Sequence, residues 1–264
     1  MLSARWILKF AGVILRHTLE GRRNPGHKMK NTKVYLMSID NVKDPKTFIS
    51  WQEFLPKERW EKTVRPIKEE DRKTELAAWL LLYHALKEWR VPEERINVKG
   101  AYCYGEHGKP MRSNEEVYFN LSHSGKYVLC SVSETEIGCD IEKVKEVKWK
   151  IAKRFFSEKE YNLLERLERK KKAGKQEEKT KESEQIAGQI FTRFWVLRES
   201  YVKKTGEGLG IALEGLDFSD IFQTCSKGKK NGEFLAETFF EIEYDGYCIA
   251  VCEEKGSKPE FIVC

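Results

Sequence analysis

The sequence predicts an α+β chain of two similar halves that meet near residue 135, and three observations lead there. A composition of 40% hydrophobic and 12% aromatic residues over 264 positions suits a folded chain with room for two cores. Apolar runs of strand length alternate with stretches of helical periodicity. The order strand, helices, hairpin occurs twice, once in residues 33–135 and again in residues 136–264.

Residues 1–32 read as a leader outside this pattern. Its apolar groups, Trp6-Ile7-Leu8 and Val13-Ile14-Leu15, are split by Lys9, and its longest uncharged stretch, Phe10 to Leu15, is far too short to cross a bilayer. A misassigned or disordered start ahead of Met29 is the expectation, with an amphipathic arm as the alternative. The leader also holds the whole formal charge of +6. Its seven bases and one acid leave 41 of each sign in the rest of the chain. A neutral body excludes a broad nucleic-acid face, so any basic patch is local.

Val34 to Ile39 is an apolar run of strand type, closed by Asp40-Asn41. Pro56 to Trp60 opens a short helix. Glu70 to Trp89 predicts a longer one, with Leu76, Leu80, Tyr83, His84 and Leu86 on one side and Pro92 beyond its end. Val117–Leu121 and Tyr127–Val132 predict a hairpin whose turn carries Ser122-His123-Ser124-Gly125-Lys126. The second half opens with the strand Ile137–Glu142. Helices follow at 149–154 and from Ser157, where Glu160 sits at the capping-box position. Residues 165–185 are a charged run read as a solvated helix end and loop. Phe191 to Lys204 predicts a helix stopped by Gly206-Glu207-Gly208, and strands near 234–243 and 246–252 close the chain.

Seven cysteines, an odd number with no Cys-x-x-Cys pair, point to a reducing, cytoplasmic setting rather than a disulfide framework.

Several residues carry potential chemistry. Asp140 and Glu142 lie two apart on a strand, so their carboxylates share a face while Ile137, Cys139 and Ile141 take the other. Two adjacent carboxylates attract a hard divalent cation such as Mg²⁺. An exposed strand face paired with Lys143 and Lys145 is the other reading. Trp195, Glu199 and Lys203 follow i, i+4, i+8 along one helix side, either as a surface Glu–Lys pair or as a covered carboxylate in need of a partner. Ser122 and His123 suit phosphate contact better than nucleophilic attack, since no Gly-x-Ser-x-Gly elbow surrounds them. Lys109 stands in the turn Gly105–Pro110. Arg59, Lys62, Arg72 and Lys73 are bases on the early helices, of the kind that are ordinarily solvated.

Four motifs occur in one order: Phe119-Asn120-Leu121-Ser122-His123-Ser124-Gly125, Ile137-Gly138-Cys139-Asp140-Ile141-Glu142, Ile151 to Ser157 with Glu160, and Trp195 to Lys203. Together with Gly108-Lys109-Pro110 they resemble the 4′-phosphopantetheinyl transferases of the Sfp type, over roughly residues 33 to 220. The resemblance implies a monomer of two α+β halves in pseudo-twofold arrangement, with coenzyme A bound in the cleft between them. It implies Mg²⁺ on Asp140, Glu142 and Glu199, and coenzyme A contacts at Lys109, Ser122, His123 and Lys203. Arg59, Lys62, Lys73 and Thr74 fall near the early phosphate-binding positions of the family, and Glu160 matches its glutamate after Phe-Phe-Ser.

This chain departs from the family's last motif at two positions. Val196 stands where a hydroxyl residue is usual, and Arg198 replaces a lysine. A guanidinium can bind phosphate as a planar fork but does not release a proton at neutral pH. The implied reaction moves the phosphopantetheine arm of coenzyme A to a serine of an acidic apo carrier protein, with Glu199 as first-choice base and Glu160 second. A metal-dependent phosphodiesterase and a non-catalytic coenzyme A or nucleotide-binding module are the rival classes.

Overall fold

In a computed structural model the described residues are 32–114, 117–169, 181–208, 213, 215–222, 227–254 and 258–264. The leader, apart from Thr32, and the core of the charged run lie outside them. The described chain divides into two units.

The first unit holds residues up to 103, 110–134 and 258–264. Strand β1 (Lys33–Ser38) is followed by helices α1 (Lys57–Val64) and α2 (Glu69–Glu88), short strands β2 (Tyr102–Tyr104) and β3 (Pro110–Arg112), then β4 (Tyr118–Ser124) and β5 (Tyr127–Ser133). β5 is buried along its whole length. It pairs antiparallel with both β1 and β4, which makes it a central strand. α2 lays Leu76, Trp79, Leu82 and Leu86 against Tyr35, Met37, Val128 and Cys130 of this sheet. Glu69, Glu70 and Asp71 fill its first turn, where the helix dipole favours negative charge. Its end is a Schellman motif: Arg90 takes φ 63°, while Val91 N–H donates to Leu86 and Arg90 N–H to Lys87. The helix therefore stops before Pro92 is reached.

The second unit holds residues 104–109 and the described residues from 135 to 254. Strand β6 (Ile137–Lys143) leads to α3 (Trp149–Phe155), α4 (Glu158–Arg169) and α5 (Lys181–Thr205). Short strands β7 (Leu216–Asp217), β8 (Lys229–Lys230) and β9 (Glu233–Phe234) precede the hairpin of β10 (Thr238–Tyr244) and β11 (Tyr247–Glu253). The sheet order is β10-β11-β6, with β11 central and buried throughout. α5 packs Phe194, Leu197, Tyr201 and Val202 into a core with Phe218, Phe239, Cys248 and Cys252. Arg193 ties the helix to β10 through two 2.9 Å hydrogen bonds to Glu241.

The two units repeat one topology, in which the second strand of a hairpin pairs with the unit's first strand beneath its longest helix. An α+β chain of two similar halves is the result. The halves are not the contiguous blocks 33–135 and 136–264, however. β12 (Glu260–Val263) returns to pair parallel with β1, and residues 104–109 join the second unit. Strand β4 also runs further than expected. It includes Ser122, His123 and Ser124, and the turn itself is Gly125-Lys126, with Gly125 at φ 52°. α5 begins at Lys181, ten residues before its first run of aromatic residues. The described cysteines are all free thiols, and among the described residues no helix is long and apolar enough to cross a membrane.

Arg72, on α2, is a buried base of the first unit. It grips both oxygens of Asp44 and donates to the carbonyls of Pro66 and Ile67. That hydrogen bonding draws the Asp44 carboxyl down to about 2, aided by the Lys46 N–H against the opposing effect of burial. A depressed carboxyl contributes stability above its unfolded range of about 4 and loses it as pH falls toward 2. Urea unfolding should therefore show wild type more stable than Asp44→Asn at pH 7, with the gap closing between about pH 4 and pH 2.

Candidate active site

The site begins with a glycine. A Cβ on Gly138 would lie 2.0 Å from the carbonyl oxygen of Ser200 and 2.4 Å from the Lys204 nitrogen, so β6 and α5 touch backbone to backbone. Side chains alternate along a strand, so Asp140 and Glu142 share the face of Gly138 and look toward α5. Ile137, Cys139 and Ile141, all fully buried, occupy the other face.

From the helix side, Trp195, Glu199 and Lys203 stand on successive turns. The Lys203 ammonium donates to Asp140 Oδ1 at 2.6 Å, and the Asp140 side chain is only 6% exposed. Burial and the negative charge of Asp140 push the Glu199 carboxyl up to about 7, with Glu142 adding and Lys203 opposing. For Lys203, burial works against the charged form, but Asp140's charge and hydrogen bond outweigh it and raise the ammonium's pKa. Asp140, Glu142, Glu199 and Lys203 thus form one electrostatic group. Glu142 also pairs at 3.7 Å with Lys145 on the rim. A groove of about 220 Å³ adjoins them, lined by Glu142, Glu199, three lysines (143, 145 and 148) and the apolar wall of Ile151, Phe191 and Trp195.

An oxygen-only donor set, with Glu199 pushed up by burial and by the charges of Asp140 and Glu142, suits a hard divalent cation. Its placement on two packed elements fits such an ion. Among the described residues, though, no three His, Cys, Asp or Glu side chains are already gathered into a chelating cluster. Lys203 is the cation that Asp140 holds, at 2.6 Å.

Glu160 does not belong to this group. The capping box forms as expected, with Ser157 N–H donating to Glu160 at 2.7 Å and Glu160 N–H to the Ser157 hydroxyl at 3.3 Å. The Glu160 carboxylate is fully enclosed, and it also accepts the Phe218 N–H at 2.9 Å and both terminal nitrogens of Arg198. Four donors saturate its oxygens, which corrects the expectation that it stands second in line as a base. Arg198 is equally committed. Its five N–H groups go to Glu160 twice and to the carbonyls of Phe155, Phe194 and Leu216, with the guanidinium carbon 4.5 Å from the Phe156 ring centre and 5.3 Å from that of Phe218. The guanidinium therefore has no donor left for a phosphate.

Lys109 lies at the C-terminus of α5. Its ammonium donates to Glu136 at 2.8 Å and to the Lys204 carbonyl at 3.0 Å, where the helix dipole favours a cation. The other candidates belong to the first unit. On β4, Ser122 points inward at 5% exposure and His123 outward. Arg59 of α1 stacks 4.2 Å over the Trp79 ring, and Lys62 is exposed. Lys73 and Thr74 are half-buried on α2. Lys148 also lines the groove, and its signal in the sequence is the cluster of lysines at 143, 145 and 148 after the two acids.

Removing one member of a buried ion pair strands the other, typically at about 3–5 kcal/mol. Arg198→Leu should lose roughly that much in urea unfolding, and Arg198→Leu with Glu160→Leu should lose clearly less than the two single changes summed. Gly138→Ala should destabilise the chain by about 1–3 kcal/mol or more, because the clashing atoms are backbone and cannot rotate away.

Residues 136–252 match the model of the 4′-phosphopantetheinyl transferase superfamily. The chain is 28% identical over 222 residues to the 4′-phosphopantetheinyl transferase gsp of Aneurinibacillus migulanus, covering 83% of this chain and 85% of that protein. It is 29% identical over 235 residues to the 4′-phosphopantetheinyl transferase Sfp of Bacillus subtilis, covering 87% and 96%. With the 4′-phosphopantetheinyl transferase HetI of Nostoc it shares 32% identity over 169 residues, 61% and 63% of the two chains. The stretch that resembles the 4′-phosphopantetheinyl transferase superfamily spans β6, α5 and the acidic group between them.

Proposed function

We propose that the protein transfers the 4′-phosphopantetheine group of coenzyme A to a serine of an apo carrier protein, with Mg²⁺ as cofactor and 3′,5′-ADP as the second product. The observation that carries this reading is the meeting of Asp140, Glu142, Glu199 and Lys203 at the β6–α5 contact, inside the stretch that matches the superfamily.

In this reading Asp140, Glu142 and Glu199 hold the magnesium ion. When bound, it supplies positive charge and orientation to the pyrophosphate of coenzyme A. The serine oxygen attacks the β-phosphorus, the bond from that phosphorus to the bridging oxygen breaks, and the electron pair leaves with 3′,5′-ADP. Such chemistry depends on positioning and charge neutralisation more than on covalent help. Glu199, on α5 beside Asp140, is the group that receives the serine proton. Lys203 supplies a positive charge beside the reacting phosphates. Lys109, Ser122, His123, Arg59, Lys62, Lys73 and Thr74 are the remaining candidates for coenzyme A contact.

The lysines on the groove rim favour an acidic partner, and the apolar wall beside them offers it a place to bury a side chain. We infer a cytoplasmic monomer, on the free thiols and the likeness to Sfp-type transferases.

The test is to incubate protein, Mg²⁺, coenzyme A and an apo carrier, then weigh the carrier. A gain of one phosphopantetheine group is expected. Phosphodiester cleavage without an acceptor would favour a hydrolase, and affinity without turnover a binding module. Asp140→Ala should lower transfer at least about a hundredfold while leaving the circular dichroism spectrum unchanged. Near-normal turnover by that variant contradicts the assignment.

A further inference from the structure

We propose that Lys203 is the resident counter-ion of the acidic site and competes with the incoming divalent cation for Asp140, holding cation affinity down. This inference rests on the metal reading given above and goes beyond it, because it assigns the lysine an effect on the cation opposite in sign to that of a supporting residue.

The geometry is specific. Asp140 is one of the few charged side chains in the second unit that is almost wholly enclosed, and a buried carboxylate is unfavourable without a charged partner. Its Oδ1 receives the Lys203 ammonium at 2.6 Å. Lys203 reaches it from one turn beyond Glu199 on the same helix, while its own side chain stays 29% exposed. The lysine therefore has a route outward that the aspartate lacks. Gly138 holds the two backbones together, so neither partner can relieve the contact by a shift of its element.

Charge counting then sets the sign. The ammonium cancels one negative charge of the carboxylates that an incoming cation would otherwise meet. Without the ammonium the same carboxylates are one unit more negative, and Asp140 Oδ1 is released from its 2.6 Å contact with Lys203. A compact ammonium a few ångströms from the incoming cation repels it and occupies one of its oxygen donors. When the cation takes Asp140, the displaced ammonium is left beside an anion-binding position, where phosphate oxygens replace the carboxylate it has given up. Cation and phosphate binding are thus coupled through one lysine, and linkage makes that coupling reciprocal.

Other variants of the site do not share this signature. Loss of a carboxylate ligand weakens cation binding, and loss of a purely structural lysine leaves it unchanged or weaker. Tighter binding on removal marks a cation that opposes the incoming ion.

The experiment measures Mn²⁺ binding to the full chain, without coenzyme A, by titration calorimetry and by the electron paramagnetic resonance signal of free Mn²⁺. Lys203→Gln and Lys203→Met should each bind Mn²⁺ about tenfold more tightly than wild type, while Lys203→Arg, which keeps the charge, should stay near the wild-type value. Binding of inorganic pyrophosphate together with Mn²⁺ should weaken in the two neutral variants. Unchanged or weaker Mn²⁺ affinity in a neutral variant whose thermal unfolding matches wild type overturns the inference and leaves the metal reading standing. Wild-type Mn²⁺ binding that is indifferent to Asp140→Asn overturns the metal reading, and the inference with it.

Discussion

The direct backbone contact between β6 and α5 is the constraint on which the rest of the second unit depends. A strand and a helix normally keep apart by the depth of their side chains. Here Gly138 removes that spacing at one point, and the carbonyl of Ser200 occupies the space a Cβ would need. The consequence appears two and four residues along the strand. Asp140 and Glu142 face the turns of α5 that carry Glu199 and Lys203, close enough for charges on one element to shift the titration of groups on the other. Polar groups at the joint of two rigid elements are held more firmly than they would be on loops.

A second interaction holds α5 on another side. Arg198 and Glu160 form an ion pair with no exposure, every donor of the guanidinium used and the ring faces of Phe156 and Phe218 around it. The pair links the N-terminus of α4, the end of α3 and the segment at Leu216 to one turn of α5. Glu199 is the next residue along. Its neighbour's fixed position sets the rotation of the helix at the turn that matters for the site. The chain thus places two adjacent charged residues in opposite roles: Arg198 immobilised in the interior, Glu199 turned toward the acidic group and the groove.

Much of this arrangement is local, and local features are what a sequence displays. The parity of Asp140 and Glu142 on a strand, the one-sided run of Trp195, Glu199 and Lys203, and the capping box of Ser157 and Glu160 all follow from spacing alone. Features set by distant partners are not legible in that way. Glu160 reads as an available carboxylate until Arg198, 38 positions away, is seen to close it. β12 is a four-residue strand that owes its place to parallel pairing with β1 at the other end of the chain. Ser122 and His123 look like turn residues because serine and glycine cluster there, yet the turn needs only Gly125 and Lys126, and strand pairing with β5 claims the rest. Lys109 reads as a free base in a glycine turn, whereas the C-terminus of α5 supplies it with a carbonyl and Glu136 with a charge.

The proposed function requires a divalent cation between β6 and α5. Crystals of the chain grown with Mn²⁺ and coenzyme A, with the ion located by its anomalous scattering, would decide it. One strong peak in coordination range of oxygens from Asp140, Glu142 and Glu199, next to the pyrophosphate, is expected. A peak elsewhere in the molecule, or bound coenzyme A with these three carboxylates turned away from it and no metal between them, would contradict it.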